Sequence, residues 1–141
     1  MKETIISNSP EETFSFAEEL GRKISGFSVI ALYGDLGAGK TIFTKGLARG
    51  LGIDEDITSP TFSLMESYEG DKPLHHFDLY RIENVNEFEN LRFEEYWEGE
   101  GVSVIEWPEK AGDLLPGNRI NVCIEYINEN MREITVEYTG N

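Results

Sequence analysis

The chain contains 141 residues, a length that predicts one compact domain over residues 1–141, with no room for a separate lid or substrate-binding module. Its 12 basic and 27 acidic side chains give a formal net charge of −15, so the average surface would repel the phosphate backbone of a nucleic acid. Apolar residues make up 39% of the chain, which excludes the weakly hydrophobic, disordered class. We therefore expect an independently folded domain that does not bind nucleic acid by itself.

Cysteine content and hydropathy favour a cytoplasmic protein. Cys123 is the single cysteine, so no internal disulfide can form, and no CxxC pair has the spacing of metal ligands. Residues 1–10 lack the basic and apolar regions of a secretory leader. The longest nearly apolar run, Phe27–Tyr33, is far too short to cross a membrane. We expect a reducing, cytoplasmic setting and no membrane segment.

The first predicted helix has a clear start signal. Ser9 can cap it, Pro10 suits the first helical position, where no amide donor is needed, and Glu12 completes a capping box. Apolar residues then repeat at helical spacing until Gly26 ends the helix. The next segment, Ser28–Tyr33, is a short apolar run bounded by glycines, which is typical of a strand buried on both faces of a parallel sheet.

A glycine-rich segment follows this strand and matches the phosphate-binding P-loop pattern GxxxxGK[ST]. In such a loop the backbone amides surround the phosphates, the lysine reaches the terminal phosphates, and the hydroxyl binds Mg²⁺. A second predicted helix, from about Lys40 to Arg49, would direct its free amides at the anion. We predict a nucleotide site whose contacts are Gly34, Asp35, Gly37, Ala38, Gly39, Lys40, Thr41 and Ile42.

The remaining apolar runs predict five further strands. Phe62–Tyr68 and Leu74–Tyr80 form a hairpin pair around a short polar turn, and Val102–Ile105 is typical of a second buried strand. Ile120–Ile127 and Glu133–Tyr138 alternate in polarity and predict a final hairpin. The fold class is therefore α/β: a single P-loop NTPase-like domain with a mostly parallel central sheet, flanking helices and added antiparallel hairpins.

The segment Glu83–Glu100 is the most acidic part of the chain. It carries seven glutamates against one arginine, and an apolar stripe through it indicates short helices. We interpret it as a solvated face, with a surface that meets a basic partner as the alternative.

A P-loop requires an acidic residue to orient Mg²⁺, usually at the end of a neighbouring strand. Two candidates exist, Glu106 after Val102–Ile105 and Asp78 near the end of the preceding strand. Glu106 follows the more hydrophobic strand and is our first choice for the metal. Asp78 then remains to position or activate the attacking water. For either residue alone, the competing interpretation is a solvated carboxylate.

Three other features leave alternatives open. Thr58–Phe62 lies where other P-loop proteins keep a threonine that senses the terminal phosphate, but it also fits an ordinary loop in which Pro60 fixes the entry into a strand. His75 and His76 would point to opposite faces of a strand, which favours surface or hydrogen-bonding roles over shared metal ligation. Trp107 is either part of the core or a gate over the nucleotide.

Missing motifs narrow the function further. No Asn-Lys-x-Asp tetrapeptide occurs, which favours ATP over GTP. The six arginines are scattered, and no arginine-rich lid is present, so a self-sufficient small-molecule kinase is disfavoured. An arginine supplied by a partner would fit such a chain. A nucleotide-dependent binding module with incidental hydrolysis remains an alternative, whereas direct tRNA binding lacks the basic patch that it requires.

Four motifs together carry a family resemblance: the P-loop, Thr58–Phe62, the run His76–Arg81 (His-Phe-Asp-Leu-Tyr-Arg) and the run Val104–Glu109 (Val-Ile-Glu-Trp-Pro-Glu). In order, spacing and total length the chain resembles the TsaE (YjeE) family of bacterial P-loop ATPases. The resemblance implies ATP hydrolysis coupled to a complex of TsaD and TsaB, which makes the threonylcarbamoyl modification of the tRNA adenosine next to the anticodon. It also implies that the transferase chemistry belongs to TsaD and that tRNA is reached only through the complex.

The resemblance also implies roles for individual residues. It assigns Thr41 and Glu106 to Mg²⁺, the P-loop amides and Lys40 to the phosphates, Thr61 to a switch segment and Asp78 to hydrolysis. By the same similarity, Ser9 and Arg132 border the adenine or ribose. The chain departs from the family pattern at Ile42, where a hydroxyl residue is more common, and in its high acidity.

Overall fold

The computed structural model describes residues 2–34, 38–58, 60, 64–84, 86–87, 89, 92, 94–97 and 99–140. A single sheet of seven strands organises them. The elements, in chain order, are β1 (Lys2–Ser7), α1 (Pro10–Lys23), β2 (Val29–Tyr33), α2 (Lys40–Gly50), β3 (Met65–Tyr68), β4 (Leu74–Asp78), α3 (Glu94–Trp97), β5 (Val102–Glu106), a 3₁₀ helix (Pro108–Leu114), β6 (Arg119–Tyr126) and β7 (Arg132–Thr139).

The strand order across the sheet is β1-β7-β6-β2-β5-β4-β3. The four central strands, β6, β2, β5 and β4, run parallel to one another. Strands β7 and β1 extend one edge in antiparallel pairing, and β3 pairs antiparallel with β4 at the other edge. Because β2, β4 and β5 are parallel, their carboxyl ends meet at one edge of the sheet, where ligands bind in open α/β folds.

Helices α1 and α2 cover one face of the sheet and pack closely against each other. A Cβ atom added at Gly46 would collide with the backbone oxygen of Phe14, and one added at Gly50 would collide with that of Glu18. Only glycine therefore allows the two backbones to approach this closely. The close packing fixes α2, and with it the start of that helix, against the sheet.

The sheet separates two hydrophobic clusters. Alternate residues of β5 face opposite sides, so Val104 belongs to the larger cluster beneath α1 and α2, whereas Ile105 belongs to the smaller one. The smaller cluster includes Phe77 from β4 and Ala111 from the 3₁₀ helix. Glu106 and the even-numbered residues of β4 consequently face the side that carries α2.

The predicted fold class, both helices at the start of the chain, the buried strands and the two hairpins are confirmed. Part of the acidic segment forms α3, in agreement with the predicted short helices. No helix within the described part of the chain has both the length and the apolar character needed to span a membrane.

Three features differ from the sequence predictions. Strand β1 was not predicted, because only its last residue, Ser7, is buried and its pairing with β7 comes from the opposite end of the chain. The predicted strand to Tyr80 ends at Asp78, whose carboxylate accepts the Tyr80 backbone N–H at 3.0 Å and turns the chain. The 3₁₀ helix that follows β5 was not predicted.

Candidate nucleotide-binding site

The P-loop connects β2 to α2, and its first and last described glycines have conformations that other residues avoid. Gly34 has φ +152°, and a Cβ atom there would lie 2.8 Å from the Ile124 backbone oxygen. Gly39 has φ +106° and occupies the N-cap position of α2, where it offers no side-chain acceptor. The first-turn amides of α2 therefore remain available to an anion.

Lys40, the first residue of α2, is buried at 6% exposure, yet its Nζ has no hydrogen-bond partner in the described structure. Among the described residues, the carboxylate of Glu106 lies close to it, with Oε1 3.9 Å from Nζ. The ammonium also lies 4.1 Å from the centre of the Trp107 ring, a cation–π contact. A buried ammonium that lacks hydrogen bonds is costly, so this position suits a lysine that awaits an anionic ligand.

Glu106 ends β5 at 4% exposure and is the acidic partner of Lys40. Its second oxygen, Oε2, lies 2.6 Å from Nε2 of the buried His76 on β4. Asp78, two residues further along β4, is the register partner of Glu106. We call Lys40, His76, Asp78 and Glu106 the charged cluster; it lies at the carboxyl ends of β4 and β5, on the side of α2.

The two adjacent histidines lie on opposite faces of β4, as the sequence predicts, but the pairing of His76 with Glu106 was not predicted. His75 is partly exposed and contacts Ser67 Oγ at 2.8 Å and the Glu100 backbone oxygen at 3.2 Å. The hydrogen-bonding role expected of these residues is therefore confirmed, but His76 is not on the surface. The sequence did contain a signal for this pairing. Side chains alternate along a strand, so His76 and Asp78 lie on the same face, beside the neighbouring strand that carries the acid predicted to bind the metal.

The surroundings of Asp78 shift the protonation equilibrium of its carboxyl. Burial raises the pKa of its carboxyl above the ordinary value, and the negative charge of Glu106 adds to this rise. The bond from the Tyr80 N–H, together with the charges of His76 and Lys40, partly opposes it. A carboxylate with a raised pKa is a better proton acceptor, which fits the predicted role in activating water.

Trp107 directly follows Glu106 and has a left-handed backbone conformation, φ 57° and ψ 49°, which is uncommon for a bulky residue. Its ring contacts the Lys40 ammonium on one side and lies 5.1 Å from the Tyr80 ring. Trp107 also packs at the border of the smaller hydrophobic cluster. Core packing is thus observed, and the gating role stays a prediction.

A small cavity, which we call the hairpin pocket, lies beside the start of α2, on the side of the β6–β7 hairpin. Its walls include Ser9, Gly39, Ile42, Asn130 and Arg132. The structure thus brings together four of the predicted nucleotide contacts: Ser9, Gly39, Ile42 and Arg132.

Two polar side chains at the hairpin pocket, those of Ser9 and Arg132, already bond to the protein. Ser9 Oγ accepts the backbone N–H of Glu12 at 3.1 Å and caps α1. Arg132 donates from Nε to the Ala38 backbone oxygen at 2.9 Å, and its guanidinium lies 4.7 Å from the centre of the Tyr126 ring. Arg132 therefore ties the β6–β7 hairpin to the end of the P-loop.

The residues predicted for Mg²⁺ fit this ion. Thr41 is exposed in the first turn of α2, and the Oε1 atom of Glu106 is not used by His76. Both offer hard oxygen atoms, and Mg²⁺ commonly takes only one or two protein ligands beside the phosphates. Among the described residues, no three His, Cys, Asp or Glu side chains are grouped so that they could hold a metal ion. Asp35, Gly37 and Thr61 lie outside the described residues.

The sheet order and the glycine-rich connection from β2 to α2 place the chain in the class of α/β proteins with a P-loop-like fold. The family model described as threonylcarbamoyl adenosine biosynthesis protein TsaE matches residues 7–134. The chain belongs to the TsaE family, which is involved in tRNA threonylcarbamoyladenosine biosynthesis.

Individual relatives agree with this assignment. The tRNA threonylcarbamoyladenosine biosynthesis protein TsaE of Treponema pallidum is 42% identical over 131 residues, covering 93% of this chain and 97% of the relative. The protein of the same name from Bacillus subtilis is 42% identical over 134 residues, covering 94% and 84%. The crystal structure of Bacillus subtilis YdiB superimposes with a TM-score of 0.81 at 35% identity, covering all of this chain and 88% of that one. The family resemblance found in the motifs is confirmed.

Proposed function

We propose that this chain is a Mg²⁺-dependent ATPase that acts as the accessory subunit of the TsaB–TsaD complex, which forms N6-threonylcarbamoyladenosine in tRNA next to the anticodon. The observation that carries the ATP-binding step is the buried ammonium of Lys40, which lacks hydrogen bonds within the described structure. The terminal phosphates of ATP would supply the missing acceptors, together with the open amides at the start of α2.

Thr41 and Glu106 are the residues that would hold Mg²⁺. A bound ion would neutralise the negative charge that develops on the phosphates. Glu106 contributes a buried carboxylate whose Oε2 is already bonded to His76, so Oε1 faces Lys40 and the P-loop. Lys40 would exchange its contact with Glu106 for contacts with the phosphates, which would leave Oε1 available.

Asp78 is the residue we assign to the attacking water, and Thr61 to a switch that senses the terminal phosphate. The raised pKa of Asp78 suits a group that orients the water and receives its proton. The oxygen of that water bonds to the γ-phosphorus while the bond from this phosphorus to the ADP oxygen breaks. In this type of reaction, orientation and electrostatic stabilisation account for most of the acceleration.

We expect the partner complex to supply a catalytic arginine. Arg132 lies beside the P-loop, but its Nε donates to the Ala38 backbone oxygen, and its Nη1 donates to the Asn128 and Met131 oxygens. A catalytic arginine from the TsaB–TsaD complex would therefore complement the site. We propose that the adenine or ribose borders Ser9 and Arg132 at the hairpin pocket, that tRNA is met only through the complex, and that the chain acts in the cytoplasm.

The decisive experiment measures the rate of ATP hydrolysis by the chain alone, with TsaB–TsaD, and with TsaB–TsaD plus tRNA. We expect weak turnover alone and strong stimulation by the complex. The accessory role is wrong if the complex does not stimulate turnover. If the isolated chain turns over rapidly with a metabolite as phosphate acceptor, a small-molecule kinase replaces the proposal.

The metal assignment has a separate test in Glu106→Ala. We expect this variant to bind a non-hydrolysable ATP analogue about tenfold or more weakly in Mg²⁺, roughly 1.4 kcal/mol, because it removes a proposed ligand of the ion. Binding in EDTA should change much less. Equal losses in Mg²⁺ and in EDTA would argue that Asp78, rather than Glu106, serves the metal.

A further inference from the structure

The geometry points to His76 as a positioning residue: it holds Oε2 of Glu106 so that this carboxylate presents only Oε1 to the P-loop and to the metal. This inference rests on the proposed function, because it concerns how the proposed metal-binding acid is oriented. Neither the family description nor the motif analysis gives His76 this role.

His76 and Glu106 form a short, buried contact. His76 Nε2 and Glu106 Oε2 are 2.6 Å apart, and the two residues are exposed by only 1% and 4%. An ionised carboxylate can only accept hydrogen bonds, so the proton of this bond lies on Nε2. Burial leaves no water to compete with the bond, which makes it an effective constraint on the carboxylate.

The bond to His76 restricts rotation of the Glu106 carboxylate. The terminal torsion of a glutamate side chain is broad, so an unrestrained carboxylate could present either oxygen, or both, to a ligand. With Oε2 held on the side of β4, Oε1 faces α2, where it lies 3.9 Å from Lys40 Nζ. Hydrogen bonds of this kind to metal-binding carboxylates orient them before the ion arrives.

Packing alone does not explain a histidine at position 76. His76 Nδ1 is buried and has no hydrogen-bond partner in the described structure. A leucine of similar size would fill the space without burying an unsatisfied polar atom. The imidazole thus carries a cost, and its bond to Glu106 is the hydrogen bond that offsets it within the described structure.

Two substitutions separate the bond from the shape of the side chain. In His76→Gln the amide nitrogen extends to about the position of Nε2, so it can still donate to Glu106. In His76→Asn the side chain is one bond shorter and cannot reach. The matched control is His75→Asn, because His75 lies on the other face of β4 and bonds to Ser67 and Glu100.

The readout is the affinity for a non-hydrolysable ATP analogue, measured by calorimetry in Mg²⁺ and in EDTA. We define the magnesium ratio as the Kd in EDTA divided by the Kd in Mg²⁺. We expect His76→Asn to lower this ratio by about 10-fold to 100-fold, as for other residues that orient metal ligands, without changing the Kd in EDTA. His76→Gln and His75→Asn should keep the wild-type ratio.

A double variant tests whether His76 acts through Glu106. In a Glu106→Ala background, His76→Asn should lower the magnesium ratio no further, because the carboxylate that it orients is gone. If His76→Asn does not fold, as its thermal unfolding would show, His76→Leu takes its place with the same expected loss.

The inference is overturned if His76→Asn keeps the wild-type ratio, if His76→Gln loses as much as His76→Asn, or if the affinity of His76→Asn falls equally in EDTA. Each of these results leaves the proposed function intact, since the wild-type chain still shows Mg²⁺-dependent binding. A wild-type chain with a magnesium ratio of one would instead refute the proposed metal site, and the inference would fall with it.

Discussion

The charged cluster and the hairpin pocket flank the same helix start but treat their polar groups differently. In the charged cluster, Lys40 Nζ and His76 Nδ1 are buried without hydrogen-bond partners in the described structure. At the hairpin pocket, Ser9 caps a helix and Arg132 bonds to backbone oxygens. Polar atoms without hydrogen bonds thus lie in the charged cluster, where we propose that phosphates bind. At the hairpin pocket, Ser9 and Arg132 are hydrogen-bonded and support the fold.

This difference indicates that the charged cluster carries the energetic cost of function, which is the burial of polar groups without hydrogen bonds. Buried polar groups are almost always hydrogen-bonded, so an exception points to a ligand or to a role in positioning. Substitutions in the charged cluster should therefore reduce the function of the protein, with little loss of its stability. Substitutions at the hairpin pocket should instead lower the stability of the protein more than its function. Three substitutions test this contrast, in decreasing order of expected effect.

Lys40→Ala should have the largest effect. It removes the ammonium that we assign to the terminal phosphates, and we expect ATP hydrolysis to be abolished. Losing one donor to the transition state alone costs about 10²-fold to 10³-fold, and binding of the phosphates is lost as well. The measurement is the rate of ATP hydrolysis in the presence of TsaB–TsaD. Lys23→Ala, at the exposed end of α1, is the matched control and should retain activity. Near-normal turnover of Lys40→Ala would remove this lysine from its phosphate role.

Asp78→Asn should lower hydrolysis by about 10²-fold to 10⁴-fold, as expected for a general base, while affinity for the ATP analogue is kept. The amide oxygen of asparagine can still accept the Tyr80 N–H, so the local turn should persist. If hydrolysis persists and binding to TsaB–TsaD is unchanged, Asp78 is not the residue that handles the water.

Asp78→Asn should also change how the stability of the protein depends on pH. The folded-state pKa of Asp78 is raised, so its ionised form destabilises the folded protein at neutral pH. Stability is regained as the pH falls through the raised pKa toward about 3.9, the value of an unperturbed aspartate. The substituted asparagine would remain neutral throughout. We therefore expect the ligand-free variant to have a higher Tm than wild type at pH 7, and this advantage to disappear near pH 4, about the ordinary pKa of an aspartate.

Ser9→Ala should have the smallest functional effect. It removes the cap of α1, which should lower the free energy of unfolding by about 0.5–2 kcal/mol in denaturant titrations. The affinity for the ATP analogue should fall only slightly, because the hydroxyl already accepts the Glu12 N–H. Ser9→Asp preserves a cap acceptor and should restore stability. A large loss of affinity with unchanged stability would show that Ser9 acts mainly on the nucleotide.

Local patterns account for most of what could be predicted. The capping signal at Ser9, the apolar run before Gly34 and the glycine-rich loop each lie within a few consecutive residues, so their meaning does not depend on distant contacts. The acid at Glu106 and the family resemblance were found in the same way. Strand β1 was missed, because its sequence has a weak pattern and its partner strand lies at the other end of the chain.

The sequence by itself determined the α/β class, the P-loop and the acids that could serve it, because these depend on residue type and local spacing. The tertiary structure decided which of those residues meet. The parallel pairing of β4 with β5 brings His76 to Glu106, and the packing of α2 on the sheet buries Lys40 beside them. Such contacts join segments far apart in the chain, and their register is set by the burial of a whole sheet rather than by any short pattern.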